Sequence, residues 1–170
     1  RMHYAQCLAG MAFSNALLGI THSMAPKTGA AFSDYGAHII HGAANAMYLP
    51  KVIAFNAKDE TACERYCEIA CRMGICDRFI TAGEKIAALI EFIRSLCVKL
   101  NIPHCLKRCG KNCEPVEYGF IPEQVFLERL PHIAENAVAD ACTLSNPRKI
   151  DVRQMEELLK CCYYDTPVDF

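Results

Sequence analysis

The chain has 170 residues, the length of one ordinary domain, and 52% of them are hydrophobic, which is enough for one sizeable core. Lys and Arg number 18 against 19 Asp and Glu, so the formal net charge is -1. A balanced charge gives no basic surface for nucleic acid or for an anionic membrane, and we expect neither as a partner.

The most apolar stretch, residues 4–20, is interrupted by Gln6, Ser14 and Asn15, so it is too short and too polar to span a bilayer. It predicts a buried, central helix instead. The start of the chain lacks the cationic segment and cleavage site of a signal peptide, and we therefore expect a cytoplasmic protein. Because the chain begins at Arg1 rather than at methionine, we expect that more sequence precedes it.

The chain contains twelve cysteines. Six of them recur every fourth residue in two groups: Cys63, Cys67 and Cys71, then Cys105, Cys109 and Cys113. A metal or redox cluster is one interpretation, but neither group has the paired C-x-x-C spacing of zinc sites. We favour reduced thiols that serve as small buried hydrophobic side chains.

Apolar spacing, capping residues and prolines predict the helices in chain order. They are residues 4–20, 41–56, 61–73, 81–100, 123–130, 133–142 and 152–161. Thr81 with Glu84 forms a capping-box pattern, and Asp151 is a candidate cap for the last helix. Residues 105–119 contain glycines and a proline and predict a surface loop. No run alternates with period two, so the predicted fold class is all-α, a helical bundle.

Two histidines lie where the chain passes from the first predicted helix to the second. His22 follows the first helix and His41 opens the next, so a connection that turns back would aim both rings at one point. Imidazole is a common ligand of iron, zinc and copper, and His38 is a weaker third candidate. Histidines that merely cap helices or bind buried carbonyl groups would give the same pattern.

The same region resembles a known family. "GITHSMAPKTGAAF", followed by "HIIHGAANAMYLPKVIAFNA", is similar to the signature of iron-dependent alcohol dehydrogenases, G-x-x-H-S-M-A-H-x-x-G-A-x-F and then H-x-P-H-G-x-A-N-A. The similarity continues through "LNIP" and "AENAVADACTLSNPR" and is strongest to the alcohol dehydrogenase half of bifunctional aldehyde-alcohol dehydrogenases.

The resemblance implies that residues 1–170 form a single helical metal-binding domain, and that a preceding domain binds NAD(H) or its phosphorylated form. It implies Fe2+ as the metal, with Zn2+ as the alternative, and His22 and His41 as two of its four ligands. The implied substrate is a small primary alcohol or its aldehyde. Without the preceding domain we expect no turnover from these residues alone, and an exposed apolar surface that favours a homo-oligomer.

Two departures from the family pattern bear on catalysis. Pro26 replaces the second histidine of H-S-M-A-H and cannot donate a proton, so no catalytic residue is assigned in this chain. Residues 33–37 look like an insertion that could displace His41, and Ile40 replaces a proline. Residues 111–120 look like a second insertion, in a surface loop. The alternative is therefore a non-catalytic remnant or a helical interaction module.

Overall fold

The computed structural model describes residues 1–35 and 39–170. In these two ranges the chain forms seven α-helices. They are α1 Met2–Ala16, α2 Ile20–Ala31, α3 His41–Asn56, α4 Glu60–Arg72, α5 Ala82–Lys99, α6 Glu123–Val138 and α7 Val152–Tyr164. Short 3-10 helices cover Ser33–Tyr35, Leu106–Arg108 and Ala141–Ser145.

The predicted all-α class is confirmed. The pairing between Cys109 and Pro115 is a single isolated bridge, and no strand forms in the described ranges. Among the helices of those ranges, none has both the length and the apolar character that crossing a membrane requires.

The main core lies where α2, α3, α6 and α7 meet. Phe126 of α6 stacks on Tyr163 of α7 with ring centroids 4.1 Å apart, and Phe32 stacks on the same Phe126 at 6.5 Å. Tyr163 also donates a hydrogen bond from its buried hydroxyl to the carbonyl of Ile121, at 2.9 Å. Aromatic stacking and burial together fix α2 and α3, which carry the two histidines, against the second half of the chain.

A second, smaller core joins α3 to α4 and α5. Its buried members are Ile53, Ala70 and Leu89, one from each helix. The predicted capping box at the start of α5 is confirmed, because Thr81 and Glu84 each bind the other's backbone N–H. Helix α5 also contacts the first half of α3, where the Cys97 thiol lies 3.9 Å from the carbonyl oxygen of Ala46.

Helix α1 differs from the prediction. Measured against the described part of the chain, none of its residues is buried, whereas we expected a buried central helix over residues 4–20. The helix also ends at Ala16, because Leu17 takes a left-handed φ of 63°, and a new helix begins at Ile20. The apolar composition predicted the helix correctly. Burial, however, requires another segment that packs against the helix, and the composition of the helix does not show whether one is present.

Helix α6 also differs from the prediction. We expected two helices separated near Pro131, but one helix runs through it. Proline removes one hydrogen bond from a helix interior. Pro131 is exposed, while Leu130, Ile133 and Ala134 beside it are buried in the main core, and their packing holds the helix together. Helix α3 likewise continues through Pro50, where the prediction allowed a break.

The segment 105–119 is not simply a surface loop. Cys105, Leu106, Cys109 and Cys113 are all buried, and the last three belong to the main core. The cysteines therefore act here as small apolar side chains, as the sequence analysis favoured. In the described ranges no disulfide bond forms, and no group of three or more metal-binding side chains comes together.

Candidate functional site

His22 lies in the first turn of α2, not in a connecting segment as predicted. Ile20, the first residue of the helix, is fully buried, and its N–H donates to Asn146 Oδ1 at 3.4 Å. Gly19 is the N-cap, and a Cβ at that position would come within 2.9 Å of the same Asn146 oxygen. Only glycine allows this close approach, so the start of α2 is fixed against the loop that carries Asn146.

His41 is the first residue of α3, as predicted. Its N-cap, Ile40, has an extended backbone and no side-chain oxygen to cap the helix. The Ala44 N–H donates to the Ile40 carbonyl at 3.0 Å and closes the first turn. The His41 side chain is exposed, while that of His22 is half-buried.

The structure brings the two rings together. The centroids of His22 and His41 are 5.4 Å apart and the ring planes are inclined by 59°. Two imidazoles that share one tetrahedral metal ion, with metal–nitrogen distances of about 2.1 Å, have centroids about 5 Å apart. The donor set and the ring separation therefore fit a single metal ion. His38, the third candidate, lies outside the described residues.

The electrostatics of the site favour a neutral His22 ring. Burial lowers the pKa of His22, and the charge of a protonated His41 would lower it further. A neutral imidazole is the form that binds metal ions, because its nitrogen lone pair is free.

Asn45 is a member of the site that the sequence analysis missed. It lies one turn after His41, and its Nδ2 is 2.9 Å from His41 Nε2. Its Oδ1 is buried and has no hydrogen-bond partner among the described residues. Because buried acceptors are rarely left unpaired, this oxygen supports a site for a group that the described residues do not provide. The i, i+4 spacing from His41 is the signal that would have found Asn45.

Pro26 lies inside α2, one turn after His22, and is exposed. It has no side-chain donor, and it has no backbone N–H to bind the carbonyl of His22. The structure therefore places a chemically inert ring beside His22, at the position where the family pattern has a histidine.

Buried polar contacts hold α2 against the rest of the chain. Asn56 and Asn146 exchange hydrogen bonds through their side-chain amides, at 2.8 and 3.1 Å. Thr143 Oγ1 lies 2.7 Å from Ser23 Oγ, next to His22. Lys27 of α2 pairs with Asp140 at 2.8 Å. The 3-10 helix Ala141–Ser145 and its flanks thus position the helix that carries His22.

The apparent insertion, residues 33–37, is anchored in its described part. Asp34 forms two hydrogen bonds with the guanidinium of Arg129 on α6. The same guanidinium donates to the carbonyl of Ala31 and lies over the ring of Tyr35 at 5.2 Å. The described residues of the insertion, 33–35, therefore leave α2 along a defined path, and the rings of His41 and His22 still meet.

Comparisons with known proteins give a consistent result. The model of the Fe-containing alcohol dehydrogenase family, C-terminal, matches residues 1–163. An NADPH-dependent butanol dehydrogenase of Clostridium saccharobutylicum is 50% identical over 170 residues, which are 100% of this chain and 39% of that protein. The bifunctional aldehyde-alcohol dehydrogenase AdhE of Escherichia coli K12 is 33% identical over 96% of this chain and 18% of its own length.

Solved structures share the fold. A 1,3-propanediol oxidoreductase superposes with a TM-score of 0.77 and 30% identity, over 95% of this chain and 37% of the other. The chain thus spans about two-fifths or less of the length of each of these relatives.

Proposed function

Because the chain belongs to the Fe-containing alcohol dehydrogenase family, we propose that it is the C-terminal, metal-holding part of an enzyme that interconverts a small primary alcohol and its aldehyde. The similar proteins are named for butanol and 1,3-propanediol, which supports a short-chain alcohol as the substrate class. We propose NAD(H) or NADP(H) as the hydride carrier, bound by a part of the enzyme outside these residues. The proposed compartment is the cytoplasm.

The proposed metal ligands in this chain are His22 and His41. The observation that carries the proposal is the 5.4 Å separation of their rings, reached across a connection that includes the insertion. Two imidazoles leave ligand positions for side chains from elsewhere in the enzyme and for substrate. Fe2+ is the proposed ion, and Zn2+, which accepts the same nitrogen ligands, is the alternative.

When bound, the metal supplies Lewis-acid polarisation of the substrate oxygen, and the nicotinamide accepts or delivers the hydride. The residues of this chain hold the two proposed metal ligands and orient their rings. The buried start of α2 fixes His22, the Asn45 amide contacts the ring of His41 at Nε2, and Pro26 leaves proton transfer to another group. We therefore propose that residues 1–170 act as a metal-binding domain and that they have no turnover alone.

The exposed apolar side chains of α1 support a further part of the proposal, self-association of the isolated domain. Tyr4, Leu8 and Met11 are each more than three-fifths exposed. Apolar surface of this extent favours association in water. Light scattering of the isolated 170 residues should show oligomers, and Leu8→Glu with Met11→Glu should shift them to monomers. Monodisperse monomers of the unchanged chain would contradict this expectation.

The metal proposal is tested in the complete polypeptide that contains these residues. The protein is stripped of metal, titrated with Fe2+ or Zn2+ without oxygen, and assayed for bound metal and for NAD(P)H oxidation with acetaldehyde. His22→Ala and His41→Ala should each weaken metal binding by at least tenfold. His132→Ala, which removes an exposed histidine of α6, is the matched control. Unchanged metal binding in both site variants would overturn the proposed ligand assignment.

A specific observation favours one second candidate, a non-catalytic helical module. Pro26 removes the side chain that the family pattern provides beside His22. A folded, complete polypeptide that binds neither metal and shows no turnover would support this candidate over the enzyme.

A further inference from the structure

The amide of Ile40, immediately before His41, is held by a sulfur atom. Its N–H donates to Cys113 Sγ at 3.2 Å, across 73 positions of the chain. The first N–H groups of a helix have no partners within the helix, and serine, threonine or aspartate normally caps them. Ile40 has no such oxygen. Cys113 binds the N–H of the N-cap residue itself, the group that the N3 side chain binds in a capping box, and so fixes the entry of the chain into α3.

Cys113 is itself held rigidly. Its side chain is buried, its backbone has a left-handed φ of 60°, and its N–H donates to the carbonyl of Gly110 at 3.0 Å. The Gly110 N–H in turn donates to the carbonyl of Glu114 at 2.8 Å, which closes the turn. A sulfur on such a closed turn, inside the main core, has little freedom to follow a moving partner.

The connection between the two histidines is thus anchored on both sides. Arg129 holds Asp34 before the residues that are not described, and Cys113 holds Ile40 after them. Of these two anchors, Cys113 holds the residue that directly precedes His41. A change in the backbone direction at Ile40 would swing the His41 ring directly, because His41 is the next residue.

We propose that Cys113 is a positioning residue for His41: its sulfur holds the Ile40 amide and so sets the direction in which the imidazole leaves α3 toward His22. This inference rests on the proposed metal ligation by His22 and His41. It also assigns a role to the apparent insertion 111–120, which brings the sulfur to the start of α3.

The test compares Cys113→Ala with Cys113→Ser in the complete, metal-free polypeptide, with Co2+ as a spectroscopic probe of the ligand set. We expect Cys113→Ala to weaken Co2+ binding by about tenfold and to change its absorption spectrum. Cys113→Ser should recover part of the affinity, because a hydroxyl oxygen also accepts a hydrogen bond from Ile40. The matched control is Cys161→Ala, which removes another buried thiol, one that donates to the carbonyl of Pro167 and does not contact Ile40.

The outcomes separate the inference from the proposed function. If His41→Ala weakens Co2+ binding and Cys113→Ala does not, the ligand assignment stands and the inference is wrong. If neither variant changes binding, both are wrong. If Cys113→Ala does not fold, amide hydrogen exchange at Ile40 is measured in the unchanged protein instead. We expect the Ile40 amide to be protected. Exchange at the rate of an unstructured peptide would overturn the inference.

Discussion

Arg129 binds the carboxylate of Asp34 in a two-point geometry, with nitrogen–oxygen distances of 2.7 and 2.8 Å across 95 positions of the chain. The fork of the guanidinium matches both carboxylate oxygens, and the flat ion also lies over the rings of Phe32 and Tyr35. This pair attaches the segment after α2 to α6.

Replacement of Arg129 should loosen this segment and leave the rest of the fold intact. Lysine keeps the charge but cannot form the two parallel hydrogen bonds, so we expect Arg129→Lys to increase amide exchange in residues 32–35. Hydrogen exchange followed by mass spectrometry measures this. Lys160→Ala, which breaks the surface pair with Glu157, is the control and should leave those residues unchanged. Equal exchange in Arg129→Lys and the parent would contradict the expectation.

The ion pairs of Asp165 indicate that the folded protein loses stability at acid pH. Asp165 follows α7 in a left-handed conformation and pairs with Lys51 at 2.7 Å and Arg94 at 2.5 Å. Burial alone would raise the pKa of Asp165, but the hydrogen bonds from Arg94 and Lys51 outweigh it and lower the pKa to about 2. A lowered carboxyl pKa stabilises the fold above about pH 4, and this contribution is lost as the pH falls toward 2.

Asp165→Asn should therefore flatten the dependence of the unfolding free energy on pH between 4 and 2. At neutral pH it should destabilise the fold by about 2 kcal/mol, because it leaves the nearly buried Lys51 ammonium without its counter-ion. Asparagine also tolerates the left-handed backbone, so the change adds no backbone strain. Urea unfolding across this pH range measures both effects. A parallel pH profile in the variant and the parent would show that another carboxylate sets the limit.

Asn146 should be one of the most sensitive polar positions. Its amide contacts Asn56, the N–H of Ile20 and, at 2.6 Å, the carbonyl of Arg148. Asn146→Ala leaves several buried groups unpaired, so we expect a loss of about 2–3 kcal/mol in the unfolding free energy. Asn136→Ala, on the exposed face of α6, is the control. A loss below about 0.5 kcal/mol would mean that water satisfies the freed groups.

Substitutions at Pro26 distinguish an effect on stability from an effect on catalysis. In a helix interior proline removes a hydrogen bond, so Pro26→Ala and Pro26→His should both stabilise the protein, by about 2 kcal/mol or less. Only histidine restores a side chain that can exchange a proton beside His22. Turnover of the complete polypeptide should therefore rise in Pro26→His and not in Pro26→Ala. Equal turnover in the two variants would show that this position takes no part in catalysis.

Local patterns predicted much of the fold because local forces produce it. The reciprocal cap of Thr81 and Glu84, and the first residue of α3 at His41, follow from residues a few positions apart. The meeting of His22 and His41 was also predictable as a possibility, since the chain has to turn back between them. The ring separation was not, because it depends on packing between helices.

The remaining features depend on partners that are distant in sequence. No local signal shows that Asn146 would fix the start of α2, or that Cys113 would hold Ile40. Composition predicted the α1 helix but placed it in the core, although no described segment covers it. Pro131 predicted a break in the helix, because proline removes a backbone hydrogen bond. The helix continues because the side chains next to Pro131 are buried in the main core.

The contact between Ile20 and Asn146 has a consequence for the order of events during translation. The two residues are 126 positions apart, so a ribosome delivers the segment with His22 long before its anchor. The chain must close this large loop, at a cost in entropy, before the contact can stabilise the fold. We therefore expect the start of α2 to remain unanchored until Asn146 has left the ribosome, and a nascent chain to bind the proposed metal only after that point.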